Sequence, residues 1–117
     1  MARVADYSIV ADSWVLEKNK HSVSFEVPST IDAGSRSILG FMLHVENLDD
    51  MTLNLHMNGS DVWNWSYAAG NHLDFFQEVI PAGMVKPGTN VFSFESSSDD
   101  YRLVELSDIV VWWQANI

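Results

Sequence analysis

The sequence predicts an all-β fold, an antiparallel β-sandwich, and three observations carry that prediction. Apolar residues recur with a period of two along most of the chain. Turn-forming residues interrupt these runs at short intervals, as they do in sandwiches and barrels. No window places apolar residues at helical spacing. The nearest approach, Pro81 to Val85, amounts to one turn and is weakened by Gly83.

Taken in order, the first apolar run is Ser13–Leu16, which carries Trp14 and ends at the polar turn Lys18-Asn19-Lys20. Val23, Phe25 and Val27 then alternate with Ser22, Ser24 and Glu26, the pattern of a strand with one buried face. Pro28-Ser29-Thr30 and Asp32-Ala33-Gly34 close that run. Leu39, Phe41, Leu43 and Val45 alternate with Gly40, Met42, His44 and Glu46, and Asn47 to Asp50 form the next break. Leu53, Leu55 and Met57 alternate with Asn54 and His56. Asn58-Gly59 follows, a pair that readily takes positive φ at both central positions of a type I′ turn, so a hairpin into Val62–Tyr67 is expected. The segment after Tyr67 reads as a polar stretch carrying Phe75 and Phe76. Pro87-Gly88 marks a turn into the run Val91–Glu95. After the polar loop Ser96–Asp100, the chain closes on a strand apolar on both faces. Ile109, Val111 and Trp113 share one side, and Val110, Trp112 and Gln114 the other, so cover on both sides is expected.

Composition narrows the function. The chain has 117 residues, a length suited to one domain spanning 1–117. It has 16 acids against 6 Lys plus Arg, a net charge of −10, which argues against nucleic acid and against anionic membrane surfaces. No cysteine is present, so disulfides and cysteine–metal scaffolds are excluded. No run approaches the roughly 20 apolar residues of a membrane helix. Asp6, Asp12 and Lys18 break up any secretory core, which leaves a cytoplasmic chain or one exported without a classical signal. No nucleophile elbow, His-Glu-x-x-His or phosphate loop occurs, so an enzyme is not expected.

The order of these turns resembles a known family. A strand, Asn58-Gly59, a second strand, Ile80-Pro81, Met84-Val85, then Pro87-Gly88-Thr89-Asn90 and a closing strand from Asp108 are similar to the galactose-binding-domain-like jelly roll found in carbohydrate-binding modules. The resemblance covers roughly residues 37 to 114 and rests on turns and alternation. It implies a jelly-roll topology of about eight strands and a carbohydrate ligand. It also implies a structural calcium, with Asp108 as the one matching metal ligand.

The candidate binding residues are aromatic. In an extended segment Trp63, Trp65 and Tyr67 share one face, with same-side neighbours roughly 6.6–6.8 Å apart. Facing solvent, the row would form a platform for sugar rings, with Asn64 as a polar neighbour. Facing inward, it would fill the core and leave Asn64 and Ser66 in water, which suits the polarity of the strand better. Of Trp112 and Trp113, one belongs in the core. The other belongs under a loop, at a dimer contact or in a ligand groove. His44, Glu46 and His56 all fall on polar phases and would converge only if their strands were neighbours. The expected function is therefore a non-catalytic binding module, most simply for carbohydrate. The rivals are a structural or assembly protein such as a virion, tail or surface component, forming homo-oligomers through its sheet faces, and more remotely a β-sandwich hydrolase or lyase.

Overall fold

The computed structural model describes residues 3–16 and 20–116, so the turn expected at Lys18-Asn19 lies outside the described residues. Eight strands run in order: β1 (Arg3–Val15), β2 (Lys20–Val27), β3 (Ser37–Asn47), β4 (Met51–Met57), β5 (Ser60–Tyr67), β6 (Gly70–Ile80), β7 (Gly88–Ser96) and β8 (Tyr101–Asn116). No helix occurs among the described residues, and Pro81–Met84 forms only a turn, with the Met84 amide donating to the Pro81 carbonyl.

The strands divide into two four-stranded antiparallel sheets, ordered β1-β8-β3-β6 and β2-β7-β4-β5. This is the double Greek-key order of a jelly roll. Only β4 and β5 are consecutive strands paired in one sheet. Asn58 at φ 52° and Gly59 at φ 85° make the left-handed turn that the sequence predicts there. Every other connection crosses between sheets.

The apolar phases of both sheets meet in one core. Leu39, Phe41, Leu43 and Val45 of β3, together with Leu106, Ile109, Val111 and Trp113 of β8, face Leu53, Leu55 and Met57 of β4 and Phe92 and Phe94 of β7. Aromatic rings interlock at its centre. Trp63 meets Phe41 edge-on at 5.2 Å and Phe76 at 4.9 Å between ring centroids. Asn90, fully buried, ties the 84–91 loop to the Asn58 turn. Its Oδ1 accepts from Asn58 Nδ2 (2.9 Å) and the Lys86 amide (2.9 Å), and its Nδ2 donates to the Lys86 and Gly88 carbonyls.

Two strands depart from the sequence reading. β1 begins ten residues before the run that carries Trp14. β6 occupies the stretch read as polar, and its polarity is inverted. Its inward phase, opposite the core row of β3, carries His72, Asp74 and Glu78 along with Phe76. Its outward phase carries Leu73, Phe75 and Val79. An edge strand tolerates inward polar groups because they lie at the open seam rather than under a full sheet. Here that seam faces β5, where the Tyr67 hydroxyl donates to Asp74 at 2.6 Å and Tyr67 stacks on the His72 ring at 4.4 Å.

Candidate functional site

The Trp63 row faces inward. Trp63 is 6% exposed and Tyr67 is equally buried, so the inward alternative, the one that suits the strand's polarity, holds, and the candidate three-ring platform is not presented to solvent. The reason is register: Leu53, Leu55 and Met51 of β4 lie opposite Trp65, Trp63 and Tyr67, and all belong to the inner phase of their sheet. Asn64 points to the opposite, solvent side. Trp65, at 49% exposure, stays half in water because β5 is an edge, and it leans across the seam onto Phe76 at 5.3 Å. It is the one ring of the row open to a ligand.

The histidines separate as the jelly roll requires. His44 and Glu46 lie on the outer face of the β1-β8-β3-β6 sheet, where His44 Nε2 lies 3.0 Å from Asn71 Oδ1. His56 lies on the other sheet, with Nδ1 2.6 Å from Asp61 and Nε2 3.4 Å from Glu95.

Asp108 does not open the last strand. It lies midway along β8 at φ 51°, in a bulge where β8 carries one extra residue opposite β3 between Ser107 and Val110. Aspartate tolerates that left-handed conformation better than most residues, which accounts for its place. Among the described residues no group of three or more His, Asp or Glu side chains could hold a metal. Asp108 therefore belongs to no such side-chain group.

The exposed aromatics lie elsewhere, on the outer face of the β1-β8-β3-β6 sheet. One complete cross-strand row, Tyr7–Trp112–Ile38–Val79, is apolar from edge to edge. The next row is Ile9–Val110–Gly40–Gln77, and beyond it Phe75 lies opposite Met42. Tyr7 and Phe75 are each 57% exposed and Leu73 is 68% exposed. The outer face of the other sheet contrasts sharply, with Ser22, Ser24, Asn54, His56, Ser93 and Glu95 along it. The cover expected on both sides of β8 is thus found only inside: Trp113 is core, while Trp112 lies on the open face.

Gly40 shapes this face. A β-carbon there would stand 2.7 Å from Trp112 Cζ3 and 3.7 Å from Phe75 Cζ. Absence of a side chain at position 40 lets the indole lie down over the strand, with the Phe75 ring beside it. Tyr7, Trp112 and Phe75 thus line a path across a sheet whose four strands span roughly 14 Å.

Beside this path, where Ile38 and Val79 continue the Trp112 row, lies a cleft of about 380 Å³ lined by Gly34, Ser35, Arg36, Ile38, Val79 and Gln114. The loop before β3 builds it by docking on the end of β8: the Asp32 amide donates to the Gln114 carbonyl (2.8 Å), and the Asn116 amide donates to the Thr30 carbonyl (2.8 Å). Asp32 then organises the rim. Its Oδ2 accepts from Ser35 Oγ (2.7 Å) and Arg3 Nη1 (2.7 Å). The Ser35 hydroxyl first, and the Arg3 guanidinium second, hold its carboxyl below the usual carboxylate range. An apolar floor with a few convergent polar groups is the ordinary make-up of a small-ligand site.

Sequence reasoning missed Tyr7, Phe75 and the 34–36 rim. The available signal was the period-two run Leu73, Phe75, Val79. Its facing depends on pairing register, which alternation alone does not supply.

No protein-family model matches the sequence, and no curated protein matches it. Solved structures do. The chain is similar in fold to part of dimeric latent PorU from Porphyromonas gingivalis, with a TM-score of 0.70 at 11% identity over 97% of this chain and 13% of that one. It is similar to the CBM36-1 domain of a multidomain xylanase from the hindgut metagenome of Trinervitermes trinervoides, with a TM-score of 0.54 at 12% identity over 96% of this chain and 100% of that one. It is also similar to the C-terminal domain of EclA, a sugar-binding protein, with a TM-score of 0.53 at 9% identity over 95% and 79% of the two chains. Identities this low establish the fold alone. That fold is a jelly-roll β-sandwich, a fold that the CBM36-1 domain shares.

Proposed function

We propose that this protein is a non-catalytic carbohydrate-binding module whose ligand lies on the outer face of the β1-β8-β3-β6 sheet. The observation that carries the reading is the Tyr7–Trp112–Phe75 path on the open face, with a polar-rimmed cleft beside it at Ile38, the residue opposite Trp112. Sugars present apolar C–H faces that pack on aromatic planes, while their hydroxyls need the donors and acceptors that Ser35, Arg36 and Gln114 hold at the rim. The similar domains of a xylanase and of the sugar-binding protein EclA support the same class of ligand.

The test is calorimetry against a glycan panel with three variants. Trp112→Ala is expected to weaken binding roughly tenfold or more, as loss of a central aromatic anchor does. Tyr7→Ala should weaken it less, and Trp65→Ala should leave it unchanged. Loss on Trp65→Ala alone would move the site to the seam, and silence of the wild type across the panel would reject the reading.

One observation favours a second reading, assembly through this face. Seven of the eleven large exposed hydrophobics among the described residues (Tyr7, Ile9, Val15, Ile38, Leu73, Phe75, Val79) belong to the outer phase of this one sheet. Such clustering marks interaction surfaces. A multimer by light scattering that Phe75→Ser dissolves would favour assembly over sugar.

A further inference from the structure

The cleft beside the aromatic path is lined by a cation, Arg36, that the protein itself does not neutralise. The chain has only 6 Lys plus Arg against 16 acids. Two of those cations, Arg3 and Arg36, belong to the 32–36 rim, and they differ in state. Arg3 is committed: its Nη1 donates to Asp32 Oδ2 at 2.7 Å and to Ser35 Oγ at 2.8 Å. Asp32 is committed as well, since Oδ2 takes Arg3 and Ser35 and Oδ1 takes the Gly34 amide. Arg36 has no ion pair and no side-chain hydrogen bond among the described residues, and it lines the cleft over Ile38 and Val79. Arg102 and Lys86 also lack ion pairs among the described residues. Arg102, however, shares its depression with Glu46, and Lys86 lies at the far loop beside Met57 and Pro81, away from the aromatic path.

We propose that the cleft selects a carboxylate-bearing sugar, a uronic acid residue, whose carboxylate is taken by Arg36. A guanidinium presents a planar fork that matches a carboxylate in two parallel hydrogen bonds, and it is weakly hydrated enough to work beside apolar surface. Ile38 and Val79 form the floor below it. Gln114 and Trp112 share the outer phase of β8, one step apart at a spacing of roughly 6.6–6.8 Å, so the amide flanks the bound ring and the indole takes the next sugar along the chain. The Asp32–Arg3–Ser35 cluster keeps the rim's own carboxylate paired, so it does not compete for Arg36. This assignment rests on the carbohydrate reading above and adds the ligand's charge to it.

The experiment is calorimetry of the full chain with polygalacturonate and with its methyl ester, which keeps the same backbone but blocks the carboxylate. A neutral glycan panel and dextran sulfate run alongside. The expected result is that polygalacturonate binds roughly tenfold or more tightly than the ester. Arg36→Gln should abolish that difference, Arg36→Lys should restore only part of it, and both variants should melt as the wild type does. Equal binding of the two forms, or a preference that survives Arg36→Gln, overturns the proposal and leaves the carbohydrate reading standing. Preference for dextran sulfate over polygalacturonate overturns the carboxylate assignment. Binding of neutral glycans alone also overturns it. Silence toward every glycan overturns both readings together.

Discussion

Asn90 shows how one polar residue can hold a loop from inside an apolar core. Each polar atom of its side chain has a partner, and so does the Asn58 amide that it meets. Asn90→Ala would leave the Asn58 amide and the Lys86 backbone each short of a partner at a half-buried site. The expected cost is about 2–3 kcal/mol, read as a lower midpoint in urea unfolding. Tyr67 carries a pH dependence. Burial first, and the hydrogen bond to Asp74 second, raise its phenol above the ordinary value of 10.0. The unfolded chain therefore releases this proton at a lower pH than the native chain does. Tyr67 thus contributes stability that is complete below about pH 10 and is lost as pH climbs toward the native value. Thermal melts from pH 8 to 11 should fall more steeply for the wild type than for Tyr67→Phe.

At the scale of the strand, the inverted β6 and the bare Gly40 belong to one design: both leave the outer face of a sheet apolar and open. Gly40→Ala tests it. The new methyl meets the rim of a side chain rather than backbone, so the indole can lift while the fold survives. The expected outcome is an unchanged circular dichroism spectrum, a tryptophan emission shifted to the red as Trp112 meets more water, and weaker glycan binding.

The same strands show what the sequence could disclose. β2, β3, β4 and β7 were legible because an unbroken alternating apolar row runs along the inner phase of each, and the Asn58-Gly59 turn was legible because few residue pairs accept positive φ twice. β6 was not legible as a strand, because polar residues occupy its core phase and apolar residues its water phase. The Trp63 row was seen as a row, but alternation is symmetric about the sheet plane. Only pairing with β4 decides which side is inside. Tyr7, Trp112 and Phe75 lie 37 or more positions apart in sequence, and only the β1-β8-β3-β6 order brings them onto one face.

At the scale of the whole molecule, charge and surface pull in opposite directions. A net charge of −10 on 117 residues repels other copies of the chain, whereas the apolar sheet face would draw them together. Salt screens the first and leaves the second. Raising sodium chloride from about 0.01 M to about 0.15 M shortens the screening length from roughly 30 Å to roughly 8 Å. The melting temperature should rise over that interval as self-repulsion within the fold fades. If the open face drives assembly, light scattering should show larger species over the same interval, and a constant scattering mass would count against assembly.

The pairing of β1 with β8 has a mechanical consequence. Arg3 lies opposite Asn116, and the ladder runs from there toward Val15 and Glu105 along an edge of the sheet. Tension applied between Arg3 and Asn116 would load one rung of hydrogen bonds at a time and peel β1 away like a zipper. Tension between Val15 and Asn116 would pull along the strand axes and load the rungs together in shear. Single-molecule pulling through cysteines placed at these pairs should yield at low force in the first geometry and at markedly higher force in the second. A domain carrying load through its Arg3–Asn116 corner would let go of its outermost strand first, and Tyr7, one end of the aromatic path, would leave with it.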